Sequence, residues 1–258
     1  MGITHKRANG GGVAIREYIE THKVFRSEDL WQACGQSKTN ANLLSTAVSR
    51  GDVTKVRRGL YVSRVGQGRD LPVDKLSLAQ AAFGADACFA YQSALELHGH
   101  AHYAAPSLVT CYSSKTDHFE FEGVSYKAWH APENLSTRVD EEGWLVTSQA
   151  QTFVDCIDKP ERACGTDNVL RSVSGLDVRP KTVLSLARAR SKSCAKKAAA
   201  VLTIMYPGCE GEPDVQRVFE EEMSGCCYLG IDEGNPNKVF LTEWRVYVPS
   251  DYKALVRG

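Results

Sequence analysis

Residues 37–62 read SKTNANLLSTAVSRGDVTKVRRGLYV, and the remainder of the chain is understood from this stretch outward. Stepping about 100° per residue from Ala41 places Ala41, Leu43, Leu44, Ala47 and Val48 on one side of a helix. The opposite side carries Lys38, Thr39, Asn42, Ser45, Thr46, Ser49 and Arg50. Hydrogen-bonding groups and two cations without a carboxylate suit base edges and phosphates, whereas a solvated face usually mixes signs. Gly51-Asp52 stops the helix. Val53, Val56, Leu60 and Val62 then supply a two-strand ribbon whose basic tip is Arg57-Arg58-Gly59. With Lys55 beside it, the tip reads as a wing.

Upstream, residues 13–21 form an expected helix with Ile15, Tyr18 and Ile19 on one face, and Ser27 caps a second over 28–33. Gly35 makes the turn into the third, and Trp31 is expected to pack beneath it. Helix, helix, turn, helix, wing is the order of a winged helix-turn-helix, expected over residues 1–69 and directed at double-stranded DNA. In that reading Asn42 and Ser45 touch bases, while Lys55, Arg57 and Arg58 touch phosphates; Lys6 and Arg7 add a basic arm. The competing reading is a protein–protein module. Charge favours DNA, because residues 1–69 hold 12 Lys+Arg against 5 Asp+Glu, a net of +7 in a chain whose total is zero. Residues 70–178 follow at −9, residues 179–197 at +7 and residues 198–258 at −5. The second basic block is Arg179, Lys181, Arg188, Arg190, Lys192, Lys196 and Lys197, expected to meet a polyanion.

The 258 residues suffice for two domains. No apolar run approaches the roughly 20 residues that span a bilayer, and MGITHKRANGGG lacks the apolar core of a secretory signal, so the expectation is a cytoplasmic protein with no membrane partner. Nine cysteines, an odd number without any C-x-x-C pair, predict free thiols and no paired-cysteine zinc site.

Residues 66–72 (GQGRDLP) have the composition of a linker and place the expected boundary between 1–69 and 70–258. The second part reads as mixed α+β. Helices are expected at 75–83 and 92–98, strands at 107–112, 118–121 and 124–129 with a tight Glu122-Gly123 turn, and a further strand at 144–146. Together these predict a small antiparallel sheet beside helices. Ser148 caps a helix through Phe153 and Ile157, and helices follow at 167–173, 180–189, 194–206 and 215–223. An extended run at 227–231 and a strand at 244–248 complete the reading.

Several of these stretches resemble the AbiEi family of antitoxins from abortive-infection, type IV toxin–antitoxin systems. Lys55-Val56-Arg57-Arg58-Gly59-Leu60-Tyr61-Val62 is similar to the closing segment of that family's N-terminal winged helix. Residues 91–99 (YQSALELHG) resemble its "SAL..HG" helix, Val146 through Asp155 its "S...T..D" helix, and residues 244–249 (WRVYVP) a segment near its end. The resemblance implies a transcriptional repressor that binds inverted repeats in its own promoter. It also implies a C-terminal domain for antitoxicity, and a nucleotidyltransferase-like toxin opposed without a stable complex. Where the family often carries two glycines after the "D" helix, this chain has Ala163-Cys164-Gly165.

Catalytic patterns are few. His98, His100 and His102 could share a strand face as metal ligands, but Gly99 reads better as a helix C-cap with His98 at the negative helix end. There is no G-x-x-x-x-G-K-[ST] loop, H-E-x-x-H or G-x-S-x-G elbow, and no Gly-Ser followed by paired aspartates. Asp117, Glu120 and Glu122 read as a solvated strand edge, and Cys88, Cys156 and Cys164 as core. The tryptophans at 129, 144 and 244 read as core or edge residues. The sequence therefore predicts an α+β DNA-binding repressor and antitoxin, not an enzyme, without cofactor or metal. The alternatives are a nucleic-acid-processing enzyme delivered by a winged helix and a stand-alone regulator without a toxin.

Overall fold

The computed structural model describes residues 11–65, 73–221 and 224–257; the Lys6-Arg7 arm and the 66–72 linker lie outside them. Two compact units meet in the chain between residues 85 and 86. The first contains α1 (Gly11–Thr21), β1 (Val24–Arg26), α2 (Ser27–Cys34), α3 (Lys38–Arg50), β2 (Val53–Arg57), β3 (Leu60–Ser63) and α4 (Lys75–Phe83). The expected boundary at 69/70 thus moves past α4. Arg26 donates to the Ala81 and Ala82 carbonyls, and Arg57 to the Ala82 carbonyl at 2.8 Å, so two cations hold the negative end of α4 within this unit.

The first unit's sheet is antiparallel in the order β1-β3-β2, with Phe25 opposite Tyr61 and Tyr61 opposite Lys55. Ile15 and Ile19 of α1, Phe25, Leu30 of α2, Leu44 of α3 and Val53 form its buried core. Each such side chain stabilises the unit by about 1.5–3 kcal/mol relative to exposure. α3 begins and ends where its residues dictate: the Ser37 hydroxyl accepts from the Asn40 amide, and Gly51 adopts a φ of 77° to turn the chain out.

The second unit begins with β4 (Cys88–Phe89), α5 (Tyr91–Leu97), β5 (Leu108–Ser113), β6 (Asp117–Phe121), β7 (Val124–His130), β8 (Thr137–Val139) and β9 (Leu145–Thr147). It continues through α6 (Gln149–Asp158), a 3-10 turn at Pro160–Ala163, α7 (Thr166–Val173), α8 (Pro180–Arg190), α9 (Lys192–Met205) and α10 (Pro213–Glu221). β10 (Cys227–Tyr228), β11 (Lys238–Leu241), β12 (Val246–Pro249) and α11 (Tyr252–Arg257) close it.

The expected small antiparallel sheet is instead a six-stranded mixed sheet in the order β6-β7-β5-β4-β9-β8. The Glu122-Gly123 turn, with φ of 49° and 77°, does make the β6–β7 hairpin. The other edge of β7 is taken by β5 in parallel, and β4 pairs with β9 in parallel, pairings fixed by packing between remote segments rather than by any local turn. A second sheet has the order β10-β12-β11. α6 is buried from Gln151 through Ile157, and α9 contributes Ala195, Ala198, Ala199 and Ala200, whose small side chains suit close helix approach. The architecture is mixed α+β, and among the described residues no helix is long and apolar enough to cross a membrane.

Candidate nucleic-acid interface

α3 is oriented by its buried side. Leu44 is buried and Leu43, Ala47 and Val48 are partly buried against α1 and the sheet, so Lys38, Thr39, Asn42, Ser45, Thr46, Ser49 and Arg50 all come out exposed on the far side. Trp31 of α2 is partly buried against the same core. Ala41 is exposed, contrary to its expected apolar placement, because Asn40 takes the inward position. Asn40 is 4% exposed, and its amide nitrogen donates to the carbonyls of Cys34 and Gly35 at 3.0 and 2.7 Å. Both amide hydrogens are thereby spent on the α2–α3 turn, which sets the angle at which the exposed face is presented. Asn40→Ala should remove two part-buried hydrogen bonds and cost about 1–3 kcal/mol of unfolding free energy, measurable by urea denaturation. A change below about 0.5 kcal/mol would show that the turn holds without it.

On the exposed face, the Thr46 hydroxyl donates to the Asn42 carbonyl at 2.8 Å and the Ser49 hydroxyl to the Ser45 carbonyl at 3.0 Å. Their lone pairs remain available as acceptors. The Asn42 amide group engages no other side chain among the described residues, leaving both its donors and its acceptor for a partner.

In the ribbon, Lys55 and Arg58 are exposed and Arg57 is half-buried. The placement of Arg57 as a phosphate contact is corrected by its bond to Ala82 and by its guanidinium lying 5.8 Å from the centre of the Phe83 ring. Sequence spacing could not distinguish it from Arg58, since the tertiary partner lies 25 residues away. The ribbon tip is fastened as well: the Ser27 amide donates to the Gly59 carbonyl at 2.9 Å.

The second basic block does not form one surface. Arg179, Lys181 and Lys192 are exposed and Arg188 is partly buried, but Lys196 is 2% exposed and donates to the carbonyls of Ser224 and Gly225 at 3.1 and 2.9 Å. Lys197 donates to the Asp158 carbonyl at 3.4 Å, and Arg190 pairs with Asp155 at 2.5 Å. Helical periodicity explains the split, because seven cations over 19 residues must face inward as well as outward.

The His98 ring is likewise structural. Its Nε2 lies 2.8 Å from the Thr147 carbonyl and 3.3 Å from the Thr152 hydroxyl, and burial holds its pKa below the ordinary histidine value. His102 packs against Tyr103. Among the described residues no group of three or more His, Cys, Asp and Glu side chains is placed to hold a metal ion. All nine cysteines are free; Cys88 and Cys156 are buried as expected, while Cys164 is exposed, where it takes a φ of 60° to end the 3-10 turn.

One polar cluster escaped the sequence reading. Asp155 is 1% exposed and accepts from Arg190, from the Tyr112 hydroxyl at 2.9 Å and from the Gln151 amide at 2.9 Å, all on Oδ1. Its Oδ2 is buried without a hydrogen-bond partner. The Tyr112 and Tyr91 hydroxyls are 2.7 Å apart, and Arg162 donates to Tyr91 at 2.8 Å. Burial pushes the Asp155 carboxyl up to about 7, against the downward pull of Arg190, Gln151 and Tyr112. Burial also raises Tyr91 to about 12. The five elements that supply this cluster are brought together only by tertiary folding, so only the separate resemblance segments around Tyr91 and Asp155 hinted at it.

No family model matches the chain, and no curated protein matches it. Among solved structures, the fold is similar to that of the Rv2827c protein from Mycobacterium tuberculosis, with a TM-score of 0.68 at 14% identity. The match covers 98% of this chain and 97% of that one. At that identity the likeness speaks for the fold alone.

Proposed function

We propose that the first unit is a winged helix that binds double-stranded DNA through α3, and that the protein is a transcriptional repressor of its own promoter. The observation that carries this reading is the exposed face of α3, where seven hydrogen-bonding or cationic side chains stand together without a carboxylate. A 13-residue helix of this kind fits the major groove, where amide and hydroxyl groups can read base edges. The first unit, residues 1–85, holds 13 Lys+Arg against 7 Asp+Glu, a net of +6 that favours a polyanion. Lys55 and Arg58 at the ribbon tip supply phosphate contacts beside the groove.

The antitoxin role rests on the similarity of residues 91–99 and 146–155 to AbiEi segments, and cytoplasmic residence follows from the proposed DNA partner. If a nucleotidyltransferase-like gene lies beside this one, rescue of growth from its co-expression by the full chain and not by residues 1–85 would support that role. Rescue by neither would count against it.

Salt dependence tests the DNA reading quantitatively. Replacing both Lys55 and Arg58 by alanine should lower the magnitude of the log Kd against log salt slope by about 2, close to 0.9 for each phosphate that is no longer neutralised. Arg57→Ala should leave the slope unchanged, since that guanidinium is held by α4. A reduced slope for Arg57→Ala, or an unchanged one for the double variant, would show that the ribbon meets DNA differently.

A further inference from the structure

We propose that Arg162 and Arg190 of the second unit form a binding site for a small phosphate monoester, with the Tyr91 and Tyr112 hydroxyls between them. The two guanidiniums are joined by a short chain: Arg162 Nη1 to the Tyr91 hydroxyl at 2.8 Å, that hydroxyl to Tyr112 at 2.7 Å, and Arg190 Nη2 to Tyr112 at 3.3 Å. The Tyr112 hydroxyl donates to Asp155, so Tyr91 must donate to Tyr112 and accept from Arg162. Hydrogen-bond polarity therefore runs one way from Arg162 to the carboxylate, which pairs directly with Arg190 alone.

One carboxylate does not balance two guanidiniums. Lys197 and Asp158 act on the same neighbourhood with opposite signs, and the carboxylate of Asp155 is in contact with Arg190. Arg162 meets no carboxylate among the described residues, and it is half-buried, where an unmatched cation is costly. An external anion would complete the set. Donors for it are in place: a guanidinium carries five N–H groups, and Arg162 gives one to Tyr91 while Arg190 gives only Nη2 to Asp155 and Tyr112.

The cluster is also built to hold still. The Arg162 guanidinium lies 4.3 Å from the centre of the Trp129 ring and 5.2 Å from that of Tyr91, which fixes its plane and reduces the entropy lost on binding. Tyr91 starts α5 with a φ of 53°, a conformation costing a bulky residue about 1–3 kcal/mol and persisting only where its surroundings enforce it.

The chemistry favours a terminal phosphoryl group. A guanidinium fork pairs with the oxygens of a terminal phosphate, a dianion above its second pKa of about 6. A backbone diester carries a single charge, and the Arg190 side chain is only 25% exposed, which favours an end group over a duplex.

Trp129 reports on the site. Its emission in the full chain should change saturably with glycerol phosphate and with inorganic phosphate, and not with sodium chloride at equal ionic strength. Arg162→Gln should weaken the response at least tenfold and Arg162→Lys several-fold, with melting temperature confirming that each is folded. Tyr91→Phe, which keeps the ring and removes the hydroxyl, should weaken it at least threefold, so the proposal stays testable if Arg162 variants unfold. An equal response to chloride, an undiminished response in Tyr91→Phe or folded Arg162→Gln, or a response to duplex DNA but not to the monoester would each overturn the proposal.

Discussion

Arg190→Ala is expected to lower the unfolding free energy by about 3–5 kcal/mol at pH 8, because it strands the Asp155 carboxylate in the interior without its cation. The Arg190 side chain is 25% exposed while that of Asp155 is fully covered, so water can reach the cation's place far more easily than the anion's. At pH 5 the loss should be smaller, since the stranded carboxyl can protonate instead. Urea denaturation of the full chain at both pH values checks this, with three of the four tryptophans in the second unit as reporters. A loss under about 1 kcal/mol at pH 8 would mean that the pair does not hold the carboxylate.

The wild-type protein should lose stability relative to Asp155→Asn as pH rises from about 4 to 7. The sign follows from the raised folded pKa: between the unfolded value of 3.8 and about 7 the folded state keeps a proton that the unfolded state has released. Stability from this group is full below the unfolded pKa and declines through the folded one. The shift corresponds to a difference on the order of 4 kcal/mol across that window. Tyr112, Gln151 and Arg190 favour the ionised form and Asp158 opposes it, with burial outweighing all of them. His98, whose lowered pKa acts in the opposite sense, titrates alike in both proteins and cancels in the difference. A wild type that gained on the variant with rising pH would show Arg190 outweighing burial.

The parts of the fold legible in the sequence are those with local causes. Ser37 and Gly51 bracket α3, Ser148 caps α6, Pro180 opens α8 and Glu122-Gly123 turns the β6–β7 hairpin, each through residues close together along the chain. α4 has the expected limits for the same reason, with Asp74 accepting from the amides of Leu76 and Ser77. β1, β4 and β8 were not legible, because two or three residues are too few to display a period of two. The parallel pairings escaped with them.

The site divides along the same line. The exposed face of α3 was legible because a helix converts sequence position directly into direction. Asn40 was not, since a polar residue facing inward breaks the pattern, and its bonds depend on where the preceding helix ends. Arg57 and Arg58 are adjacent and chemically alike, yet one is spent on α4 and the other is exposed. The Asp155 cluster draws on residues up to 99 positions apart, beyond any local signal.

The most direct test of the account is the affinity of Asn42→Ala for two duplexes, one carrying a repeat selected for binding to the wild-type protein and one with that repeat scrambled, by fluorescence anisotropy at fixed salt. Asn42 stands mid-face with its amide uncommitted, and a bidentate contact to adenine is worth about 1–3 kcal/mol of discrimination. The account predicts a loss of roughly 5- to 150-fold on the repeat and little change on the scrambled duplex. Equal losses on both, or none on either, would contradict it.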